Sequence, residues 1–170
     1  MHLAIISDTH DNLANLAEFL RQARDLKVEA IIHCGDVTEP ETLEYLAKNF
    51  EGEIKLVCGN MEIRREDFPR IVERHKNLEI FPEFGEWAIS DIEQTVAFAH
   101  RPETARPLAV SGRYRFVFYG HTHKPWIEQI GGGAFLANPG TLGGVFTSPT
   151  YSLLDAKTGK LELKKLYRNG

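Results

Sequence analysis

The chain has 170 residues, of which 42% are hydrophobic and 26% charged, and its formal net charge is −4. These values are ordinary for a globular protein with a sizeable core, so we expect one domain over residues 1–170. The acidic balance argues against a nucleic-acid backbone as the main partner. The sequence has no run of 18 apolar residues, so neither a transmembrane helix nor a membrane partner is expected.

The N-terminal stretch MHLAIISDTH lacks the basic segment and the cleavage site of a signal peptide, and it predicts a strand instead. Two cysteines, Cys34 and Cys58, are too few for a disulfide framework. Both observations favour the reducing cytoplasm as the location of the protein.

The first third of the chain alternates short apolar runs with helical patterns. The runs at residues 3–7, 30–36 and 54–60 predict three buried strands. Between them, Asn12 can cap a helix that extends to about Lys27, and Pro40 can open a second helix. Two successive β-α-β units predict parallel strands joined by right-handed crossovers.

The rest of the chain is richer in short strands, separated by Gly, Pro or Asp. A short helix is predicted over 102–111, and a hairpin loop over 155–159. An α/β beginning and a β-rich end predict a four-layer α/β/β/α sandwich, with two facing mixed sheets flanked by helices. The predicted strands of this part are 79–82, 86–91, 94–99, 114–119, 125–130, 134–137, 150–154 and 161–167.

Residues of metal-ligand type follow five of the predicted strands, often beside a glycine. Because sites form at the carboxyl ends of parallel strands, these side chains are expected to converge. The last two are imidazoles one residue apart, which point to the same side if the backbone is extended. The seven candidates are Asp8, His10, Asp36, Asn60, His100, His121 and His123.

Carboxylate, amide and imidazole donors without a thiolate suit Mn²⁺, Fe²⁺, Fe³⁺, Zn²⁺ or Ni²⁺. Seven ligands exceed the needs of one ion but suit two ions that share a carboxylate. Two ions about 3.5–4 Å apart can activate water and neutralise a phosphoryl group together. The pattern therefore predicts a two-metal site.

The ordered motifs D-x-H, G-D, G-N, H and G-H-x-H resemble those of the calcineurin-like metallophosphoesterases, especially their small single-domain phosphodiesterases from bacteria and archaea. The resemblance spans residues 3–142. It implies two divalent ions, with Mn²⁺ expected first and Ni²⁺, Zn²⁺, Fe or Co²⁺ as alternatives. It assigns Asp8, His10, Asp36 and His123 to the first ion, and Asp36, Asn60, His100 and His121 to the second.

The resemblance also implies a reaction. A hydroxide between the ions would attack phosphorus in line and expel the ester oxygen, without a covalent enzyme intermediate. The chain is thus expected to be a metal-dependent phosphodiesterase acting on small diesters, with Asp36, Asn60 and His100 as catalytic residues. The stretch Asn138-Pro139-Gly140-Thr141 resembles the family's NPGS loop near the metal centre, with the hydroxyl kept at Thr141.

Two positions depart from the family pattern. Met61 stands where many members have a histidine that assists phosphate transfer, so esters with acidic leaving groups should be cleaved far better than alkyl esters. Arg101 follows His100 where glycine is usual, and it either contacts a phosphate oxygen or lies in an exposed loop. Glu62 replaces the usual Asp, and no role is assigned to it.

Several residues have simpler interpretations. His33 is expected to be a hydrogen-bonded core residue, and the two cysteines to be small buried residues. Trp87, Trp126 and the phenylalanines are expected in the core or at an interface, not as a nucleotide platform.

Three other functions are compatible with the fold that the resemblance implies. They are a protein-interaction scaffold, as a eukaryotic retromer subunit of this fold is regarded, a phosphomonoesterase, and a nuclease. The seven filled ligand positions favour real metal binding over the scaffold, and Met61 disfavours the monoesterase and the nuclease. The natural substrate is left open, and a homo-oligomer is possible by analogy with relatives.

Overall fold

The structure, a computed structural model, describes residues 1–89 and 94–167. Within these residues the chain forms eleven strands and four α-helices. The predicted strand over 86–91 therefore lies partly outside the described residues.

The first sheet carries the N-terminal strands in its centre and the C-terminal hairpin at one edge. Its order is β11-β10-β1-β2-β3-β4, with β1 to β4 parallel and β10 antiparallel to both β1 and β11. The two predicted β-α-β units and the hairpin around 155–159 are thereby confirmed. The strands are β1 (His2–Ile6), β2 (Ala30–His33), β3 (Glu53–Val57), β4 (Leu78–Phe81), β10 (Thr150–Asp155) and β11 (Lys160–Lys165).

The second sheet has the order β5-β6-β7-β9-β8. Its inner strands β6, β7 and β9 are parallel, and its edge strands β5 and β8 are antiparallel to their neighbours. Both sheets are therefore mixed. The strands are β5 (Phe84–Ile89), β6 (Gln94–Ala99), β7 (Phe116–Phe118), β8 (Trp126–Gln129) and β9 (Phe135–Asn138).

Three of the four helices match the predicted ones. They are α1 (Leu13–Asp25), α2 (Pro40–Asn49) and α4 (Pro102–Val110). The Asn12 side chain caps α1 by accepting a hydrogen bond from the Asn15 amide at 3.1 Å, as predicted. The fourth helix, α3 (Phe68–Arg74), was not predicted, since seven residues are too few to show helical periodicity.

Three apolar clusters separate four layers. One holds α1, α2 and α3 against the first sheet, and includes Phe19, Leu43 and Phe68. A second lies between the two sheets, where Ile5 and Ile32 share a cluster with residues of β6 and β7. A third holds the alanine face of α4 against the second sheet. The predicted four-layer α/β/β/α sandwich is confirmed.

None of the helices in the described part of the chain combines the length and apolarity needed to cross a membrane. The cytoplasmic location and the single domain over residues 1–170 stay predictions.

Candidate metal centre

All seven candidate ligands lie in loops that follow the carboxyl ends of parallel strands. Asp8 and His10 follow β1, and Asp36 and Asn60 follow β2 and β3. In the second sheet, one histidine follows β6 and two follow β7. Because the two sheets face each other, these loops meet at one edge of the sandwich. The last three ligands are His100, His121 and His123.

The first group of ligands contains Asp8, His10 and His123. The Nε2 atoms of the two histidines lie 3.1 Å apart, and His123 Nε2 lies 3.2 Å from Asp8 Oδ1. Two nitrogen ligands about 2.1 Å from one ion, at a right angle, would be separated by about 3 Å. The spacing therefore suits a shared ion.

The second group contains Asp36, His100 and His121. His100 Nε2 lies 3.2 Å from His121 Nδ1, 3.5 Å from Asp36 Oδ2 and 2.9 Å from the Asn60 side-chain oxygen. Asn60 therefore joins this group through its side-chain oxygen, Oδ1. The two groups touch, since the His121 amide donates to Asp8 Oδ2 at 3.0 Å.

Hydrogen bonds orient the ligands before any ion binds. His100 Nδ1 donates to the Cys34 carbonyl at 2.8 Å, which leaves the Nε2 lone pair for a ligand bond. Asp36 Oδ1 accepts from the Asn60 and Met61 amides at 2.8 Å, so Oδ2 is the oxygen that faces His100. Each of these two donors therefore presents one defined atom to the centre.

The backbone at this edge is unusual. Five of the candidate ligands have a left-handed backbone, with φ between 44° and 66°. Such conformations are rare for residues with a side chain, and they cluster at functional sites. These five are Asp8, His10, Asp36, His121 and His123.

Two motif glycines act through close approach instead. A Cβ on Gly59 would lie 2.1 Å from Asp36 Oδ1, and one on Gly120 would lie 1.9 Å from Ser7 Oγ. Only glycine fits at these two positions, which lets the loops of the two sheets come together around the ligands.

Burial controls the charge of the ligands in the protein without metal. Burial raises the pKa of Asp8 to about 8, and the neighbouring charge of Asp36 adds to this effect. Burial also lowers the pKa of His10 and of His100, which keeps both imidazoles neutral near pH 7. The charge of Asp36 opposes the lowering at both histidines, so this carboxylate acts on a ligand of each group.

The donors fit divalent ions. Asp8 Oδ1 is buried without a hydrogen-bond partner among the described residues, which is costly unless something else satisfies it. Neutral imidazoles with facing nitrogens and such an oxygen form the mixed set that Mn²⁺, Zn²⁺, Ni²⁺ or iron accepts.

The raised pKa of Asp8 predicts pH-dependent metal binding. Asp8 has a pKa of 3.8 in the unfolded chain and about 8 in the folded, metal-free protein. Between these two pH values only the folded protein keeps the Asp8 proton, so the contribution of Asp8 to folding stability falls as the pH rises from 3.8 to about 8. An ion must displace the proton. We expect Mn²⁺ affinity to rise up to about tenfold per pH unit from pH 6 to 8 and then level off.

Calorimetry in buffers of different ionisation enthalpy would measure this effect as about one proton released near pH 7. In Asp8→Asn the pH slope should disappear, whereas Asp155→Asn, in the exposed hairpin, should keep it. A Kd that is constant from pH 6 to 8 would contradict the assignment.

Two residues without a predicted role support the ligands. Glu62 is only 9% exposed, and its Oε1 accepts from the Asp36 amide at 2.7 Å. Asp11 Oδ1 accepts from the Glu39 amide and the Thr42 hydroxyl, which ties the β1 loop to the start of α2. No sequence signal identifies Asp11, whereas Glu62 follows Gly59-Asn60 closely enough to have been a candidate.

The predicted loop around Asn138 and Thr141 lies at the centre. The Asn138 side chain donates through Nδ2 to the Gly120 carbonyl at 2.8 Å, and the Thr141 hydroxyl donates to the Asp8 carbonyl at 2.9 Å. The hydroxyl kept at Thr141 therefore holds the backbone of a candidate ligand.

His33 is a core residue, as predicted. It is fully buried and lies 2.8 Å from the Thr9 hydroxyl, while its Nδ1 accepts from the Gly35 amide. Burial lowers the pKa of His33 to about 3, so it stays neutral. Cys34 is buried as predicted, but Cys58 is only partly buried.

Comparison with known proteins shows the family of this chain. The family model of the calcineurin-like phosphoesterase superfamily domain matches residues 1–159. A phosphodiesterase of Methanocaldococcus jannaschii is 30% identical over 169 residues, which cover 99% of this chain and 97% of the relative.

Solved structures extend the comparison. An archaeal phosphodiesterase superposes with a TM-score of 0.87 at 28% identity, covering 98% of this chain and all of the other. Vps29 of Chaetomium thermophilum superposes with a TM-score of 0.70 over 96% of this chain and 95% of the other. At 16% identity, this similarity shows a shared fold and nothing more. Together with the family match, these likenesses confirm the resemblance, and the chain belongs to the calcineurin-like phosphoesterase superfamily.

Proposed function

We propose that this protein is a metal-dependent phosphodiesterase that hydrolyses small phosphodiesters at a dinuclear metal centre. The observation that carries the proposal is the meeting of two ligand groups, each with a carboxylate and two imidazoles, at one edge of the sandwich. The relative from Methanocaldococcus jannaschii, a phosphodiesterase similar over almost the whole chain, supports the same reaction class.

In this proposal Asp8, His10 and His123 hold the first ion, and Asn60, His100 and His121 hold the second. Asp36 would be shared by both ions, a role supported by its place in the second group and by its charge acting on His10. Two bound divalent ions would supply an activated water and positive charge beside the phosphoryl oxygens. Mn²⁺ is the expected ion, with Ni²⁺, Zn²⁺, Fe and Co²⁺ as alternatives.

The protein's own part is to hold these donors in place. Asp36 is fixed by three backbone amides, two that donate to its carboxylate and its own, which donates to Glu62. Asn60 is held by its backbone amide, which donates to Asp36, and His100 by the bond from its Nδ1 to the Cys34 carbonyl. Their two acceptor atoms, Asn60 Oδ1 and His100 Nε2, lie 2.9 Å apart. These three residues are the proposed catalytic set, because rigid donors need no reorganisation when charge develops at phosphorus.

The test is hydrolysis of bis-p-nitrophenyl phosphate by protein stripped with a chelator. Activity should be absent after stripping and return with Mn²⁺. If no hydrolysis is detected with any of Mn²⁺, Ni²⁺, Co²⁺ and Zn²⁺, the proposal is overturned and the protein-interaction scaffold is favoured.

Arg101 is the proposed contact for a phosphate oxygen. It directly follows His100, is exposed, and makes no side-chain hydrogen bond or ion pair within the described residues. A guanidinium in this position can bind phosphate, although exposure to water weakens the attraction.

We expect Arg101→Ala to raise KM for bis-p-nitrophenyl phosphate about twofold to tenfold, because a charge-assisted contact is lost. Arg101→Lys should recover part of the effect, and Arg70→Ala, another exposed arginine, should change nothing. Steady-state kinetics with unchanged KM and kcat for Arg101→Ala would show that this residue is an ordinary loop arginine.

A further inference from the structure

One phenylalanine occupies a position that packing does not explain. Phe146 lies in the loop after β9 and is 93% exposed, so of the two locations expected for the phenylalanines, the core or an interface, it does not occupy the core. Its φ is +67°, a left-handed conformation that a bulky residue rarely adopts. An exposed apolar ring in a strained backbone points to a functional role.

The loop is held at both ends, so this position is imposed by the surrounding structure. The Gly143 amide donates to the Asp8 carbonyl at 2.9 Å, and the Asn12 side chain donates to the Gly143 carbonyl at 2.9 Å. On the other side, the Thr147 hydroxyl donates to the His123 carbonyl at 3.0 Å. Phe146 is therefore fixed relative to two candidate ligands.

The ring lies beside the first ligand group. The centroids of Phe146 and His123 are 5.8 Å apart, and their planes meet at 29°. His123 Nε2 in turn lies 3.2 Å from Asp8 Oδ1 and 3.1 Å from His10 Nε2. A phosphate held at the metal centre would thus have an open aromatic surface within reach of its ester group.

We propose that Phe146 determines substrate specificity by stacking on an aromatic ester group of the diester, a nucleobase or an aryl ring. The inference rests on the proposed function and deepens it by naming a substrate class. Every base and aryl ring offers a face that stacks on a phenyl ring, and such contacts are tolerant of sequence and substituent. Stacking on an exposed ring is favourable because it removes apolar surface of both partners from contact with water.

Binding of product-like monoesters to the Mn²⁺-loaded protein tests the inference without turnover. Calorimetry would compare phenyl phosphate and adenosine 5′-monophosphate, which carry a ring, with methyl phosphate and inorganic phosphate, which carry none. Wild-type protein should prefer a ring-bearing ester over methyl phosphate by about threefold to tenfold. The ring-bearing ester that binds with the higher affinity identifies the preferred aromatic group as an aryl ring or a nucleobase.

Phe146→Ala should lose this preference while binding inorganic phosphate as the wild type does, and Phe146→Tyr should retain it. Tyr167→Ala is the matched control, since Tyr167 is also an exposed aromatic but lies near Gln22, in the second half of α1. An equal preference in Phe146→Ala and wild type, or none in wild type, would overturn the inference.

Two further outcomes are informative. Weaker binding of all four ligands to Phe146→Ala would assign the residue to the integrity of the His123 loop and overturn the inference. An intact ring preference in a protein that hydrolyses no diester would overturn the proposed function, but it would support the aromatic subsite.

Discussion

Asp36→Asn is expected to lower kcat/KM for bis-p-nitrophenyl phosphate by about 10³-fold or more with saturating Mn²⁺. The reason is that the two oxygens of the Asp36 carboxylate have different neighbours. Oδ1 accepts two backbone amides, so an asparagine would place its oxygen there and turn its NH₂ group toward His100. An NH₂ group cannot bind an ion, and several kcal/mol of charge stabilisation is lost if Asp36 is the bridging ligand that we propose.

The fold should survive this change, because the substitution keeps the size of the side chain and the contacts of Oδ1. Circular dichroism and thermal unfolding of the metal-free variant should match the wild type. Asp25→Asn is a suitable control, since Asp25 pairs with Arg21 in the last turn of α1.

The number of bound Mn²⁺ ions per chain is a second measurement that tests the role of Asp36. Wild-type protein should bind two Mn²⁺ ions per chain, and the variant fewer or with weaker affinity. Activity of Asp36→Asn within tenfold of wild type, at the same metal content, would remove Asp36 from the proposed centre.

The second large effect concerns the leaving group. We expect kcat/KM for methyl p-nitrophenyl phosphate to exceed that for methyl phenyl phosphate, with dimethyl phosphate lower still. Met61 stands where a proton donor would assist departure of the ester oxygen, and loss of general acid help typically costs about 10²–10⁴-fold. Its amide donates to Asp36 at 2.8 Å, while its side chain is 48% exposed and carries no acidic proton.

Variants at this position separate the chemistry from packing. Met61→His should accelerate cleavage of the alkyl and phenyl esters and leave the nitrophenyl ester nearly unchanged, because only poor leaving groups need a proton. Met61→Leu should behave as the wild type throughout. Equal rates for nitrophenyl and alkyl esters in wild-type protein would show that another acid serves the leaving group.

Much of the fold could be predicted because the buried strands are short apolar runs that end at polar residues or glycines. The runs around Ile5, Ile32 and Leu56 gave the correct parallel strands, and the alternation with helices gave their crossovers. The seven-residue helix over Phe68–Arg74 was missed, because two turns after an irregular stretch leave too few apolar positions to define a period. Strand ends in the second half moved by one or two residues, where local hydrogen bonding sets the boundary.

The candidate ligands could be selected from the sequence because each is a chemically distinctive residue that closely follows an apolar strand. Residues that act through contacts across the fold were not. Asp11 ties the β1 loop to the start of α2, and Phe146 lies beside His123, yet both look like ordinary residues in the sequence. Their significance depends on distance and exposure, which residue type alone does not give.

The sequence by itself determined the class of fold and the order of the candidate ligands, and its family resemblance predicted the reaction chemistry that such donors support. The family resemblance implied how the candidate ligands divide between two ions, but only the tertiary structure places them in two adjacent groups, because the loops of two facing sheets meet at one edge of the sandwich. It also decided which ligand backbones are left-handed and that burial raises the pKa of Asp8 to about 8. These properties arise from neighbours far apart in the chain, such as Asp8 and His121, which no local pattern brings together.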